Sequence, residues 1–214
     1  MDLRKFVGKI KKLAKFVTNP ETVCSSSSEV VKSLAEIMST ADSGIFDVYL
    51  PAVTDVELLP APIAHAEVLK SKHCHMTLFG FRSIIDQIPL HDHPNMVGIL
   101  RVIRGSIAIK SFTVLGHNVD GSVNAFYDGE TVLNATTGAN VACLDNTKGN
   151  LHEVRCLEPG SFFFDVLIPG YVRGTDCTYY VSPDTTTIGE IFVLKSKRAP
   201  SYFQCVDIEY PCFA

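Results

Sequence analysis

No stretch of uncharged apolar residues approaches the roughly 20 needed to cross a bilayer, so no transmembrane helix is expected. The apolar core of a secretory signal is missing as well, because lysines interrupt every short run near the start. Seven cysteines are present, but no two form a C-x-x-C pair, which disfavours a zinc ribbon. An odd number of cysteines without a signal points to a reducing, cytoplasmic setting with mostly free thiols. Internal repeats and interdomain linkers are absent, and the serine run at 25–28 is too short to matter. Positive charge is scarce outside one segment. The net charge is −4, yet residues 1–20 hold six basic residues and one acid, so the remainder is distinctly acidic. Neither nucleic acid nor a membrane is an expected partner, and a monomer is expected.

What is present suits one folded domain: 214 residues, 46% hydrophobic and 20% charged, which excludes a disordered chain. Phe6, Ile10, Leu13 and Val17 recur at helical spacing with lysines between them, predicting a terminal helix that docks its apolar stripe and ends at Pro20. Ser26 and Glu29 match a capping box for a second helix carrying Val30, Leu34, Ile37 and Met38, closed by Ser43–Gly44. From about residue 45 short β-rich runs alternate with turn residues. Strands are expected near 63–70, 74–81, 84–89, 96–103, 106–114, 123–127, 140–144, 152–157, 161–168, 177–182 and 189–195. The stretch 115–139, rich in Gly, Asn and Thr, reads as a long hairpin insertion. This spacing predicts an all-β sandwich or barrel at 45–214 behind a short helical N-terminal extension at 1–44.

Two His-x-His pairs stand out, His73–His75 and His91–His93. Residues i and i+2 of a strand face one side, so either pair could set two imidazoles on one metal. The second pair is better placed: Pro94 fixes the chain after it, and a strand and the Arg104-Gly105-Ser106 turn follow. Asp92 is expected to point away. His152, at the start of a later β run, is the candidate third donor, and Glu153 beside it is expected to face outward. His65, His73, His75 and His117 are read as exposed or strand-end residues rather than ligands.

The segment Ile88-Pro-Leu-His-Asp-His-Pro-Asn-Met96 followed by Arg104-Gly105-Ser106 resembles the cupin thiol dioxygenases, in the branch of cysteamine (2-aminoethanethiol) dioxygenase and the plant cysteine oxidases. Gly149-Asn-Leu-His152, Phe164-Asp165-Val-Leu-Ile-Pro-Gly-Tyr171 and Asp176-Cys177-Thr-Tyr-Tyr180 agree with it, in the family's order, across about residues 60–195. The resemblance implies a double-stranded β-helix (a jelly-roll barrel) holding non-haem Fe(II) on His91, His93 and His152. Two positions depart from the family pattern: Asn95 where glycine is usual, and Pro169-Gly170-Tyr171 where Pro-Pro-Tyr is usual.

The residue chemistry is compatible. Three neutral imidazoles suit Fe(II) and leave its charge uncompensated, which favours an anionic thiolate as an added ligand. Both atoms of O2 would end on sulfur, giving a sulfinic acid. Asp165, flanked by apolar residues, is a candidate catalytic group that orients a water, a histidine N–H or a substrate amine. Tyr171 and Tyr179 are candidates to reach oxygen species, and Cys177 with Tyr179 to form a cross-link like that of some relatives. Arg101, Arg104, Arg155 and Arg173 are the arginines nearest the motifs in sequence, and none stands beside them to clamp a free carboxylate. A thiol without a free carboxylate is therefore favoured, and the resemblance implies a small aminothiol or an N-terminal cysteine as the substrate. Rival readings are a cupin isomerase or hydrolase on another divalent metal, and a non-catalytic ligand-binding cupin.

Overall fold

The first element forms for the reason its spacing suggests. α1 (Leu3–Val17) buries Leu3, Phe6, Val7, Ile10, Ala14 and Val17 and turns its lysines outward. In the computed structural model, which describes residues 1–17, 28–137, 139–145, 148–171 and 176–213, three further helices follow. They are α2 (Glu29–Thr40), α3 (Gly44–Asp47) and α4 (Val53–Glu57). Ser28 is the N-cap of α2, and its side chain makes no capping bond. Ser26 and Pro20 lie outside the described residues. Ser43–Gly44 does not close α2, which ends at Thr40; it opens α3, where the Asp42 carboxylate accepts from Gly44 N at 2.9 Å. Strand structure begins at Ile63, as expected, and the segment before it holds α3 and α4. None of the described helices is long and apolar enough to cross a membrane.

Thirteen strands follow among the described residues: β1 (Ile63–Lys70), β2 (His75–Phe81), β3 (Gln87–Asp92), β4 (Val97–Arg104), β5 (Ser106–His117), β6 (Val123–Asn134), β7 (Val141–Leu144), β8 (Leu151–Cys156), β9 (Phe162–Ile168), β10 (Tyr179–Tyr180), β11 (Ile191–Leu194), β12 (Ser196–Lys197) and β13 (Cys205–Asp207). They form two sheets, ordered β13-β1-β2-β9-β4-β7 and β11-β6-β5-β8-β3-β10-β12. Inner-face residues of both sheets, among them Phe81, Leu100, Phe163, Ile88, Ile107 and Val154, share one core. This is the double-stranded β-helix. The helices cover the outer face of the first sheet, where Phe6, Phe46 and Phe164 pack ring to ring at 5.0, 5.2 and 5.9 Å.

The strands depart from the expected set at several places. Residues 84–89 are not one strand, because Ser83–Asp86 is a turn: Ser83 N donates to the Asp86 carboxylate at 2.7 Å, and Ile84 and Ile85 are exposed. The strand starts at Gln87 and so carries His91 within it. The hairpin expected at 115–139 is present: β5 and β6 pair from Ser106–Asn134 to His117–Val123, and β6 runs on to Asn134, past the expected 123–127. β13 pairs in parallel with β1, a contact that no local pattern announces.

Candidate metal centre

β3 and β8 run antiparallel with His91 directly opposite His152. Pro89 breaks the ladder between Ile88 and His91, since it has no N–H to give. Its carbonyl accepts instead from His91 Nδ1 at 2.8 Å. A carbonyl only accepts, so Nδ1 holds the proton and Nε2 keeps its lone pair. His93 follows the strand in a tight turn closed by Met96 N to His93 O at 3.2 Å, with Asn95 left-handed at φ 59°. Asparagine is one of the few residues that accept this conformation, so it serves where glycine is usual. The turn places His93 Nε2 3.0 Å from His91 Nε2. Tyr171 OH lies 2.7 Å from His93 Nδ1 and can accept its proton, freeing Nε2 in the same sense.

His91, His93 and His152 thus offer three ring nitrogens within 4.8 Å of one another. Burial, and for His93 and His152 also the neighbouring rings, holds all three below the usual histidine range, most strongly His93 and His152. They are neutral, with lone pairs free. Nδ1 of His152 is buried without a hydrogen-bond partner. Such a set of desolvated neutral donors fits a borderline divalent transition metal.

Neighbouring acids face elsewhere. The Asp92 carboxylate accepts from Thr178 N at 2.6 Å and Tyr180 OH at 3.2 Å, which ties β10 to β3. Glu153 is turned to Lys110 at 3.7 Å. No carboxylate belongs to the three-histidine group among the described residues.

The rings open onto a cavity of about 150 Å³ inside the barrel, lined by apolar side chains such as Leu100, Val154 and Phe163 and by a few polar ones. Asp165, Tyr171, Cys177 and Tyr179 all line it. Desolvation pushes the Asp165 carboxyl up to about 7. Burial likewise raises the Tyr171 and Tyr179 hydroxyls and the Cys177 thiol, and the last two are hydrogen-bonded to each other.

The arginines are engaged elsewhere. Arg101 donates to the Met38 and Ala41 carbonyls at the end of α2, Arg104 pairs with Asp47, and Arg155 with Glu130. None of them lines the cavity. Arg173 lies outside the described residues.

His75 stands at the end of β2, as expected, but neither it nor His65 is exposed. Both line the cavity; His65 Nδ1 is 2.8 Å from Asp207, and His75 Nε2 is 3.2 Å from Glu67. The signal was in the alternation. His65 and Glu67, like His75, Thr77 and Phe79, take turns with Ala64, Ala66, Met76 and Leu78, which pack under the helices. Their side is therefore the barrel interior. His117 is exposed, as expected.

A family model described as PCO_ADO matches residues 30–212. A probable 2-aminoethanethiol dioxygenase from Dictyostelium discoideum is 33% identical over 97 residues, covering 44% of each chain. The 2-aminoethanethiol dioxygenase of Mus musculus is 31% identical over 139 residues, covering 56% of this chain and 54% of that one. The chain thus spans about half the length of these curated relatives. Among solved structures, a Klebsiella pneumoniae protein with a double-stranded β-helix domain aligns at 16% identity and a TM-score of 0.42, over 62% of this chain and 91% of that one.

Proposed function

Since the chain belongs to the PCO_ADO family, we propose that it is a thiol dioxygenase that uses Fe(II) and O2 to convert a thiol to its sulfinic acid. The observation that carries this is the group of three neutral imidazoles at the wall of a largely apolar cavity, with no carboxylate among them. Ferrous iron held there by His91, His93 and His152 would supply the site at which thiolate and O2 meet. The chain's own residues do the rest. Pro89 O and Tyr171 OH fix the first two rings so that their lone pairs point inward. Asp165 lies on the facing sheet and takes the proton that the thiol gives up. Its raised pKa lets it gain and lose that proton near neutrality. The Cys177 thiol and Tyr179 hydroxyl are hydrogen-bonded, and joining sulfur to ring carbon with loss of two hydrogens to O2 would lock this side of the cavity.

A thiol without a carboxylate is the preferred substrate, because no described arginine lines the cavity to receive one. Cysteamine and a cysteine at a peptide N-terminus both meet that condition. The test is anaerobic Fe(II) loading followed by O2-electrode assays with cysteamine, free cysteine and a Cys-initiated peptide. Oxygen uptake with the first and third, and little with free cysteine, is expected. No uptake with any thiol would overturn the reading, and faster turnover of free cysteine would overturn the substrate choice.

A further inference from the structure

Facing the three histidines, the cavity wall carries Asp165, Thr77 and His75, and the half-exposed Glu67, 3.7 Å from Lys70 Nζ, stands behind His75. Asp165 of β9 stands opposite Thr77 of β2, and Thr77 stands opposite Glu67 of β1. His75, two residues from Thr77 on the same face of β2, reaches back to Glu67, with Nε2 3.2 Å from Oε2. The Glu67 carboxylate accepts, so Nε2 carries the proton and Nδ1 is left as an acceptor. That Nδ1 is buried and finds no hydrogen-bond partner among the described residues, although the ring lines the cavity. A desolvated acceptor backed by a carboxylate is suited to a cationic donor. Tyr171, which orients His93, holds the other side of the ring, edge to face at 5.8 Å.

We propose that the Glu67–His75 pair is a specificity determinant for the charged amine of the substrate: His75 Nδ1 accepts a hydrogen bond from the ammonium group while the sulfur sits at the three histidines. This rests on the thiol dioxygenase reading and adds to it a preference for aminothiols over thiols of equal size without the charge. Sulfur and ammonium of cysteamine are two carbons apart, so the proposal requires His75 to stand close to the three histidines; Tyr171 is in ring contact with both His75 and His93.

Two measurements separate this inference from the reading it rests on. The first is nitrogen-15 NMR of the imidazole rings during titration of the full-length protein with cysteamine or with 2-mercaptoethanol, which is the same length but uncharged. The His75 Nδ1 resonance should move with cysteamine only. The second is steady-state oxygen uptake with the same two thiols by the iron-loaded wild type, His75→Leu and His75→Asn. His75→Leu should raise KM for cysteamine by about tenfold or more, with kcat and the KM for 2-mercaptoethanol little changed. His75→Asn, whose amide oxygen can accept near the place of Nδ1, should recover most of the loss. A resonance that ignores cysteamine, or a KM ratio unchanged in His75→Leu, overturns the amine subsite. A resonance that responds in a protein that oxidises no thiol supports the subsite and overturns the oxidation.

Discussion

Asn95 shows what one residue can hold in place. Its left-handed φ of 59° closes the turn that brings His93 back to His91. Alanine at this position would pay the Cβ strain of that conformation, so Asn95→Ala should lose about 1 kcal/mol in a urea titration. Asn95→Gly should stay within about 0.5 kcal/mol of wild type, since glycine meets no such strain. Asp165 sets a pH dependence of the whole fold. Desolvation raises its folded-state pKa from the ordinary carboxylate range to about 7. Between pH ~4 and ~7 the unfolded chain has released a proton that the folded one still holds, so the stability this carboxyl contributes falls as pH rises through that window, while the buried histidines, held below their usual range, contribute the opposite slope. The full drop from this carboxyl is on the order of 4 kcal/mol. Asp165→Asn should remove that contribution, so the stability difference between wild type and variant should shift in favour of the variant from pH 5 to pH 8, read from melting of the chelator-treated proteins. The same variant should lower kcat by about 100-fold at unchanged iron content. Wild-type turnover would take Asp165 out of the chemistry.

Elements carry the site through their register. β3 needs only its alternation to set His91 toward the barrel and Asp92 toward Thr178 and Tyr180. The turn joining β1 and β2 is set by a different contact. Gly170 lies so close to it that an added Cβ would fall 2.0 Å from the Ser71 carbonyl oxygen and 2.8 Å from the Cys74 carbonyl carbon. The proline usual in the family at this position could not be seated without moving residues 71–74, and with them His75 at the head of β2. Gly170→Ala should therefore destabilise by about 1–3 kcal/mol and shift the His75 ring. Calorimetry and a crystal structure of the variant test both halves. Arg101 joins another pair of elements: from β4 it donates to carbonyls at the end of α2, which no acidic partner in the sequence foretold.

At the scale of the molecule, the barrel has two faces to protect, and the helices cover only one of them. The inner face of the first sheet turns to the cavity, while its outer face meets α1 to α3 through the Phe6, Phe46 and Phe164 rings. β9 belongs to both, with Phe164 under the helices and Asp165 in the cavity. The N-terminal helix is thus part of the support of the candidate site. Phe6→Ala, which empties a fully buried ring position, should cost about 3–5 kcal/mol. Thermal unfolding followed by circular dichroism measures it, and a cost under about 1 kcal/mol would mean that α1 docks without carrying load.

Local pattern was enough to give the helical start, most of the strand sequence and the three histidines, because residue alternation, turn residues and ligand chemistry are all short-range properties. The same range limits explain the errors. Ile84–Ile85 read as strand until a side-chain-closed turn excluded them, whereas the hairpin at 115–139 was legible and only the length of its paired strands was not. His65 and His75 were misread because a strand's alternation says that its two faces differ without saying which one borders the cavity. That choice was made by the packing of Ala64, Ala66, Met76 and Leu78 beneath the helices. Burial of apolar area against a distant part of the chain, rather than any property of the neighbouring residues, turned the two histidines inward.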